Sequence, residues 1–320
     1  MNSSLTLILV AGVVLFLGAG FLFFSGTGPR KPKKVIPANQ KRYHDDETLE
    51  GPVLTKILGW SLIFTFMLAA ALPLYWLTEP QRQVSFAEKY NHNAAERGKK
   101  FFADAKEDPE GFGCATCHGG VKGGTTRYVL LSGPEEGREV TWTAPALDDI
   151  FYRFSRDQVH DILVYGRPNT PMPAWGLRGG GPMTEQMLND VISYLESIQT
   201  DPETAKQNAG GGQGLSGQKL FEKNCARCHT QGWSYRYPDV TWNKPVVMGP
   251  AGGGSFGPNL RGSVTRQFYD PADQVKFVSD GSQFGKAYGQ NGVGTGRMPG
   301  MGKILDEKDI MAIVEYERSL

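Results

Sequence analysis

Cys114-Ala115-Thr116-Cys117-His118 and Cys225-Ala226-Arg227-Cys228-His229 are one five-residue pattern written twice. Together they hold all four cysteines of the chain and two of its five histidines. Two residues between the cysteines set the thiols about one helical turn apart, so both can bond the edge of one porphyrin. The adjacent His is then carried beneath the ring, where its imidazole can ligate iron. C-x-x-C-H is the spacing of a c-type haem attachment site. Its repetition, with no cysteine left over, makes the signal specific and predicts two covalently bound haem c groups.

Two C-x-x-C pairs can also build a Cys₄ zinc site. Such pairs are usually separated by about 15–20 residues. Here more than a hundred lie between them, and each pair has its own His. A disulfide framework fits less well still, because the spacing within each pair is too tight for independent staples in a chain of 320 residues.

That length has room for two ordinary domains. The formal net charge of +1 gives no reason to expect nucleic acid as a partner. The mean hydropathy of −0.34 is that of a soluble protein, but it averages over a strong asymmetry, since the first eighty residues contain nearly all the long apolar runs. Residues 5–24, LTLILVAGVVLFLGAGFLFF, are uncharged and long enough to cross a bilayer as a helix. Residues 57–77, ILGWSLIFTFMLAAALPLYWL, form a second run, with Trp60 near one end and Tyr75 and Trp76 near the other as interfacial anchors. Residues 1–4 lack the positive charge of a signal peptide and no small-residue cleavage site follows the first run, so both spans are expected to be retained. The intervening loop carries Arg30, Lys31, Lys33, Lys34, Lys41 and Arg42, which places it on the cytoplasmic side. Everything after Glu79 is then expected on the exported face of a bacterial plasma membrane, the side where c-type haem is attached.

The remainder repeats loosely. Residues 94–102 and 217–223 read as amphipathic helices ahead of each motif. Pro145-Ala146-Leu147 and Pro258-Asn259-Leu260 follow the motifs, then Met172-Pro173 and Met298-Pro299 in Gly/Pro-rich loops. Apolar stripes at helical spacing close each half over 184–198 and 306–318, with Thr184 and Asp306 as N-caps. A helix is also expected over 155–165. Residues 200–216, with Gly210-Gly211-Gly212, have the composition of a flexible linker. The reading is therefore mainly α: a membrane anchor over 1–80 with spans at 5–24 and 57–77, then domains over 86–207 and 208–320.

Helix, C-x-x-C-H, P-x-L, Met-Pro and C-terminal helix, in that order and twice over, resemble class I cytochrome c domains. The resemblance covers about residues 90–199 and 216–320. It implies that Cys114 and Cys117 bind one haem and Cys225 and Cys228 the other. It implies axial ligation by His118 with Met172 and by His229 with Met298. It also implies that the carbonyls of Pro145 and Pro258 accept a hydrogen bond from the other imidazole nitrogen. Met183, Met187, Met301 and Met248 are the weaker distal candidates, and His160 reads as a partly exposed helix residue. Iron with both axial positions filled moves electrons without bond chemistry, and no general base, nucleophile or phosphate loop is evident.

Two spans followed by two such domains resemble the dihaem subunit of cbb3-type oxidases, but His44–Gly51 lacks the Asn-Pro-Leu-Pro-x-Trp-Trp element expected before the second span. Leu72-Pro73-Leu74-Tyr75-Trp76-Leu77-Thr78-Glu79-Pro80 looks more like dihaem cytochromes that accompany bc-type quinol-oxidising complexes. The expected role is thus an electron-carrier subunit without a catalytic site of its own. Its expected partners are cytochrome b and Rieske subunits, or oxidase subunits, and the lipid bilayer. A dihaem cytochrome c peroxidase is the reading from another class, and it would need one displaceable axial ligand.

Overall fold

The computed structural model describes residues 12, 18, 20, 37–40, 51–131, 136–236 and 249–320. The chain divides into two units, Met1–Ala87 and Glu88–Leu320. Of the first apolar run only Gly12, Gly18 and Gly20 are described, and they are helical; the expected span over 5–24 otherwise lies outside the described residues. The second run falls in α1, Pro52–Phe102, which continues through Pro73 and Pro80. Among the described residues α1 is the one helix long and apolar enough to cross a membrane, against the two spans expected. Leu62, Phe66 and Trp76 are 71%, 76% and 75% exposed, so no protein core covers this run and an apolar solvent suits it.

The second unit is built from short helices on two apolar cores. In chain order it carries the end of α1, α2 (Cys114–His118), β1 (Gly124–Val129), β2 (Glu139–Ala144), α3 (Ile150–Arg153), α4 (Arg156–Tyr165) and α5 (Glu185–Ser197). Then follow α6 (Pro202–Ala209), α7 (Gly217–Asn224), α8 (Ala226–His229), β3 (Tyr235–Arg236), α9 (Val264–Gln267) and α10 (Pro271–Asp280). The hairpin β4 (Ala287–Tyr288) and β5 (Gly292–Val293) precedes the closing helix α11 (Glu307–Ser319). The closing helices start where their caps dictate: Thr184 Oγ1 accepts from the Met187 amide, and the Asp306 amide donates to Asp309 Oδ2.

Each core is organised by a helix crossing, and the same residues make it in both halves. A Cβ on Gly98 would lie 1.9 Å from the Asp190 carbonyl oxygen on α5, and one on Gly217 would lie 1.9 Å from the Ala312 carbonyl oxygen on α11. The missing side chain is what lets each pair of backbones touch. One turn further on, Phe102 meets Tyr194 with ring centroids 5.4 Å apart, and Phe221 meets Tyr316 at the same distance. Phe221 is fully buried, a burial that contributes about 2–3 kcal/mol. In the first half the crossing is fastened further by Arg97, whose guanidinium donates at 2.7 and 2.8 Å to the buried carboxylate of Asp190.

Two features depart from the expectation. The first is the 200–216 stretch, which is not a loose tether. Asp201 caps α6, Ala205 and Ala209 are buried in the second core, and Lys206 pairs with Asp306. Beyond α6 the amide of Gly212 donates to Asp309. Glycine composition hid this because Gly211 lies where a side chain would meet the Ile304 carbonyl at 2.4 Å. The second is a sheet. β1 and β2 form an antiparallel hairpin, and β2 then pairs with β3 from the second half, Thr141 opposite Arg236 and Trp142 opposite Tyr235. Trp142 stacks on Tyr235 and meets Phe256 edge-on. The two halves also join where the Gly300 amide donates to the Arg153 carbonyl and Gln158 donates to the Ser282 carbonyl.

Glu317, on α11, is buried and accepts a hydrogen bond from Gln274 at 2.8 Å. Burial pushes its carboxyl up from 4.5 to about 7, opposed by that bond. The folded state therefore holds a proton that the unfolded chain releases, and stability falls as pH rises from about 4.5 toward 7. Glu317→Gln should remove a pH-dependent loss of about 3 kcal/mol over that interval. Denaturant unfolding at pH 5 and pH 8 checks this; equal pH slopes in both proteins would contradict it.

Candidate functional site

α2 is a single helical turn between glycines, Gly113 at φ 79° and Gly119 at φ 55°. Both occupy the left-handed region that a glycine adopts without strain. The turn sets His118 beside the P-x-L element: His118 Nδ1 and the Pro145 carbonyl oxygen are 2.9 Å apart. A carbonyl can only accept, so Nδ1 carries the proton and the Nε2 lone pair is left free. Upstream, Thr116 Oγ1 donates to Asp104 at 2.6 Å. Phe102 lies against the imidazole with centroids 6.5 Å apart.

The second half repeats the arrangement. α8 follows α7 through Cys225, and His229 Nδ1 is 3.0 Å from the Pro258 carbonyl oxygen. Here the close neighbour is Gly257, where a Cβ would fall 2.5–2.9 Å from three atoms of the His229 ring. Burial holds both imidazoles below the usual histidine range, opposed by their proline carbonyls. Each is therefore a neutral base at pH 7 and suited to a metal.

The thiols fit the same chemistry. Burial pushes Cys114 up to about 11 and Cys225 well above the usual range, and it raises Cys228 as well. Raised thiols disfavour a thiolate metal cluster, whose ligands must be deprotonated. Among the described residues no three His, Cys, Asp or Glu side chains gather into a metal site, so the two pairs do not meet as a Cys₄ set.

The Met-Pro loops are held by a shared device. Gly166 and Gly281 end α4 and α10 at φ 65° and 72°. A Cβ on Gly166 would lie 2.6 Å from the Met172 carbonyl, and one on Gly281 would lie 2.8 Å from the Met298 carbonyl. Met172 is half-buried against the first core and Met298 against the second. Met183 and Met301 are buried inside those cores, and Met187 packs on the first; Met248 lies outside the described residues. His160 is tied to Glu185 at 2.5 Å on the surface. Partly buried apolar side chains pack against each core. In the first half these include Phe112, Val121, Leu147 and Trp175. The residues fit a porphyrin: each half has an imidazole with a free nitrogen, a partly open thioether, two free thiols and partly buried apolar side chains. The glycines at 98, 166, 217, 257 and 281 were not singled out from sequence. The signal that could have found 98, 166, 217 and 281 is their matched placement in the two halves, one helical turn before Phe102 and Phe221 and at the ends of α4 and α10.

Residues 215–320 match the family described as "Cytochrome c", and residues 93–195 match "Cytochrome C oxidase, cbb3-type, subunit III". No curated protein and no solved structure matches the chain. Matched in both halves to cytochrome c families, with a histidine held on a proline carbonyl in each, the chain is supported as a c-type cytochrome whose domains imply covalently bound haem c and electron transfer.

Proposed function

We propose that the chain is a membrane-anchored dihaem electron-transfer subunit of a respiratory complex, carrying electrons from a quinol-oxidising bc-type complex toward a terminal oxidase. The observation that carries this is the duplicate His–Pro hydrogen bond at 2.9 and 3.0 Å, each with a Met-Pro loop on the same core. In this reading Cys114, Cys117, Cys225 and Cys228 attach the two haems. His118 with Met172, and His229 with Met298, fill the axial positions. Bound haem supplies a one-electron couple. The residues orient it, exclude water and set its potential: Pro145 and Pro258 fix the tautomer, and the thioethers favour the reduced state. The anchor is residues 1–80, with both spans retained and the haem domains, 86–207 and 208–320, on the exported face. A second reading, the dihaem subunit of a cbb3-type oxidase, is favoured by the family match over 93–195.

The first test is chemical. Met172→His and Met298→His should each leave two haems per chain. Each should lower the potential of one haem by about 0.2 V, within the roughly 0.8 V span that axial ligands command. An unchanged potential rejects the ligand concerned, and rapid peroxide turnover with a high-spin haem in the unaltered protein would favour the peroxidase instead. The second test is assembly: purification of the native complex should bring cytochrome b and Rieske subunits, whereas oxidase subunits would support the second reading.

A further inference from the structure

The two Met-Pro loops begin with the same bond and then differ. The residue after each helix-ending glycine gives its amide to the methionine carbonyl, Arg167 to Met172 and Ser282 to Met298, both at 3.0 Å. In the first half that residue's own carbonyl is taken up within the loop. Thr170 Oγ1 donates to the Arg167 carbonyl at 2.8 Å and accepts from the Met172 amide at 3.2 Å. The first loop closes on itself. In the second half the residue three places past Ser282 is Gly285, which has no hydroxyl to give. The Ser282 carbonyl accepts instead from the other half, from Gln158 Nε2 on α4 at 3.1 Å.

Ser282 is a junction. It is buried, 4% exposed. Its hydroxyl accepts from the amides of Thr295 and Gly296 at 2.8 and 2.9 Å, so it also holds the chain that leads into Met298. Past Met298, the Gly300 amide donates to the Arg153 carbonyl at 2.9 Å. The Met298 loop is therefore bonded to the first half on both sides of its thioether. Gln158 is itself fixed. Its Oε1 accepts from the Ser155 amide at 2.8 Å in the box that caps α4, which leaves Nε2 as the donor to Ser282. A buried carbonyl stripped of its donor has to find another partner, and the loop must shift to reach one. We propose that Gln158, in the first half, is a positioning residue for the distal ligand of the second haem, acting through Ser282 on the Met298 loop. The second haem then depends on the first half for its sixth ligand, whereas the Met172 loop draws the matching bonds from its own half.

The proposal rests on the dihaem reading with Met298 as ligand, and its test separates the two. Full-length protein in detergent carrying Met172→His is the background, because its thioether-to-iron absorption band then belongs to the second haem alone. Imidazole added to the oxidised protein competes with that thioether, so its affinity reports how firmly Met298 is held. Gln158→Glu keeps the cap of α4 and loses the donor; Gln158→Met loses the donor without adding a charge. Each should keep two haems and bind imidazole at the second haem about fivefold more tightly, or about 1 kcal/mol. Ser155→Ala weakens the same cap but keeps the amide that holds Gln158, and should leave that affinity unchanged. The same titration with Met172 intact, read by EPR that separates the haems, covers the case in which Met172→His loses one. Parental affinity in both Gln158 variants overturns the proposal. So does a gain in Gln158→Glu alone, which would be an effect of charge, or an equal gain in Ser155→Ala, which would reduce Gln158 to a helix cap. If Met298→Ala keeps the band in the same background, or the unaltered protein holds fewer than two haems, the underlying reading itself fails.

Discussion

Gly257→Ala is expected to dismantle the site around His229 and leave that around His118 intact. The added methyl would stand 2.5–2.9 Å from three atoms of the His229 imidazole, closer than nonbonded carbon and nitrogen approach. The proline carbonyl on one side and the buried environment of His229 on the other leave the ring little room to retreat. It must rotate away from the Pro258 carbonyl, and with that goes the bond that fixes which nitrogen faces the metal. In the dihaem reading, haem per chain should fall from two toward one, or half the haem should become high-spin, while the first haem keeps its spectrum and potential. Gly253→Ala, on the same loop, is the comparison, because its Cβ would be about as crowded but by Pro250, at 2.9 Å, and not by the imidazole. Two unaltered low-spin haems in Gly257→Ala would show that the imidazole does not lie where the structure puts it.

Gly217→Val should cost the fold about 3 kcal/mol or more, at the upper end of overpacking. Its Cβ has a backbone oxygen at 1.9 Å and the Tyr316 Cβ at 3.1 Å. Neither is the far end of a flexible side chain, so α7 and α11 must move apart. That separation also opens the contact between Phe221 and Tyr316. The melting temperature should drop by roughly 6–12 °C for a unit of this size, followed by far-ultraviolet circular dichroism. Gly98→Val should act alike through α5. A variant at Gly217 that melts with the parent would mean the helices do not cross there.

Much of this architecture was legible because the residues that specify it are chemically unusual. C-x-x-C-H, P-x-L and Met-Pro are short, rare and ordered, and the helices over 155–165, 184–198 and 306–318 are marked by polar caps and apolar stripes. The crossings were not legible because a glycine inside a helical pattern reads as a propensity cost. Its value at 98 and 217 comes from a neighbouring backbone more than ninety residues away. The hairpin escaped for a different reason. Gly124–Val129 and Glu139–Ala144 carry the β-branched and aromatic residues of strands, yet they sit inside a domain read as helical, and their partner β3 belongs to the other half. The stretch 200–216 was misread by composition: Gly210 and Gly211 are close-approach points, against Leu215 and Leu220 and against the Ile304 carbonyl, and α6 buries only alanines there.

The strand pairing of Trp142 with Tyr235 has a kinetic consequence. A carrier whose two redox centres sit on independently tumbling domains passes charge between them at a rate limited by diffusion of one toward the other, and solvent viscosity slows it. Here a sheet, a folded connection and the bond from Gly300 to Arg153 join the halves. In the dihaem reading, exchange between two haems so mounted is a first-order event set by a constant tunnelling distance and by driving force. Glycerol should leave it unchanged, and in the proposed role the slow steps then belong to docking with the outside donor and acceptor.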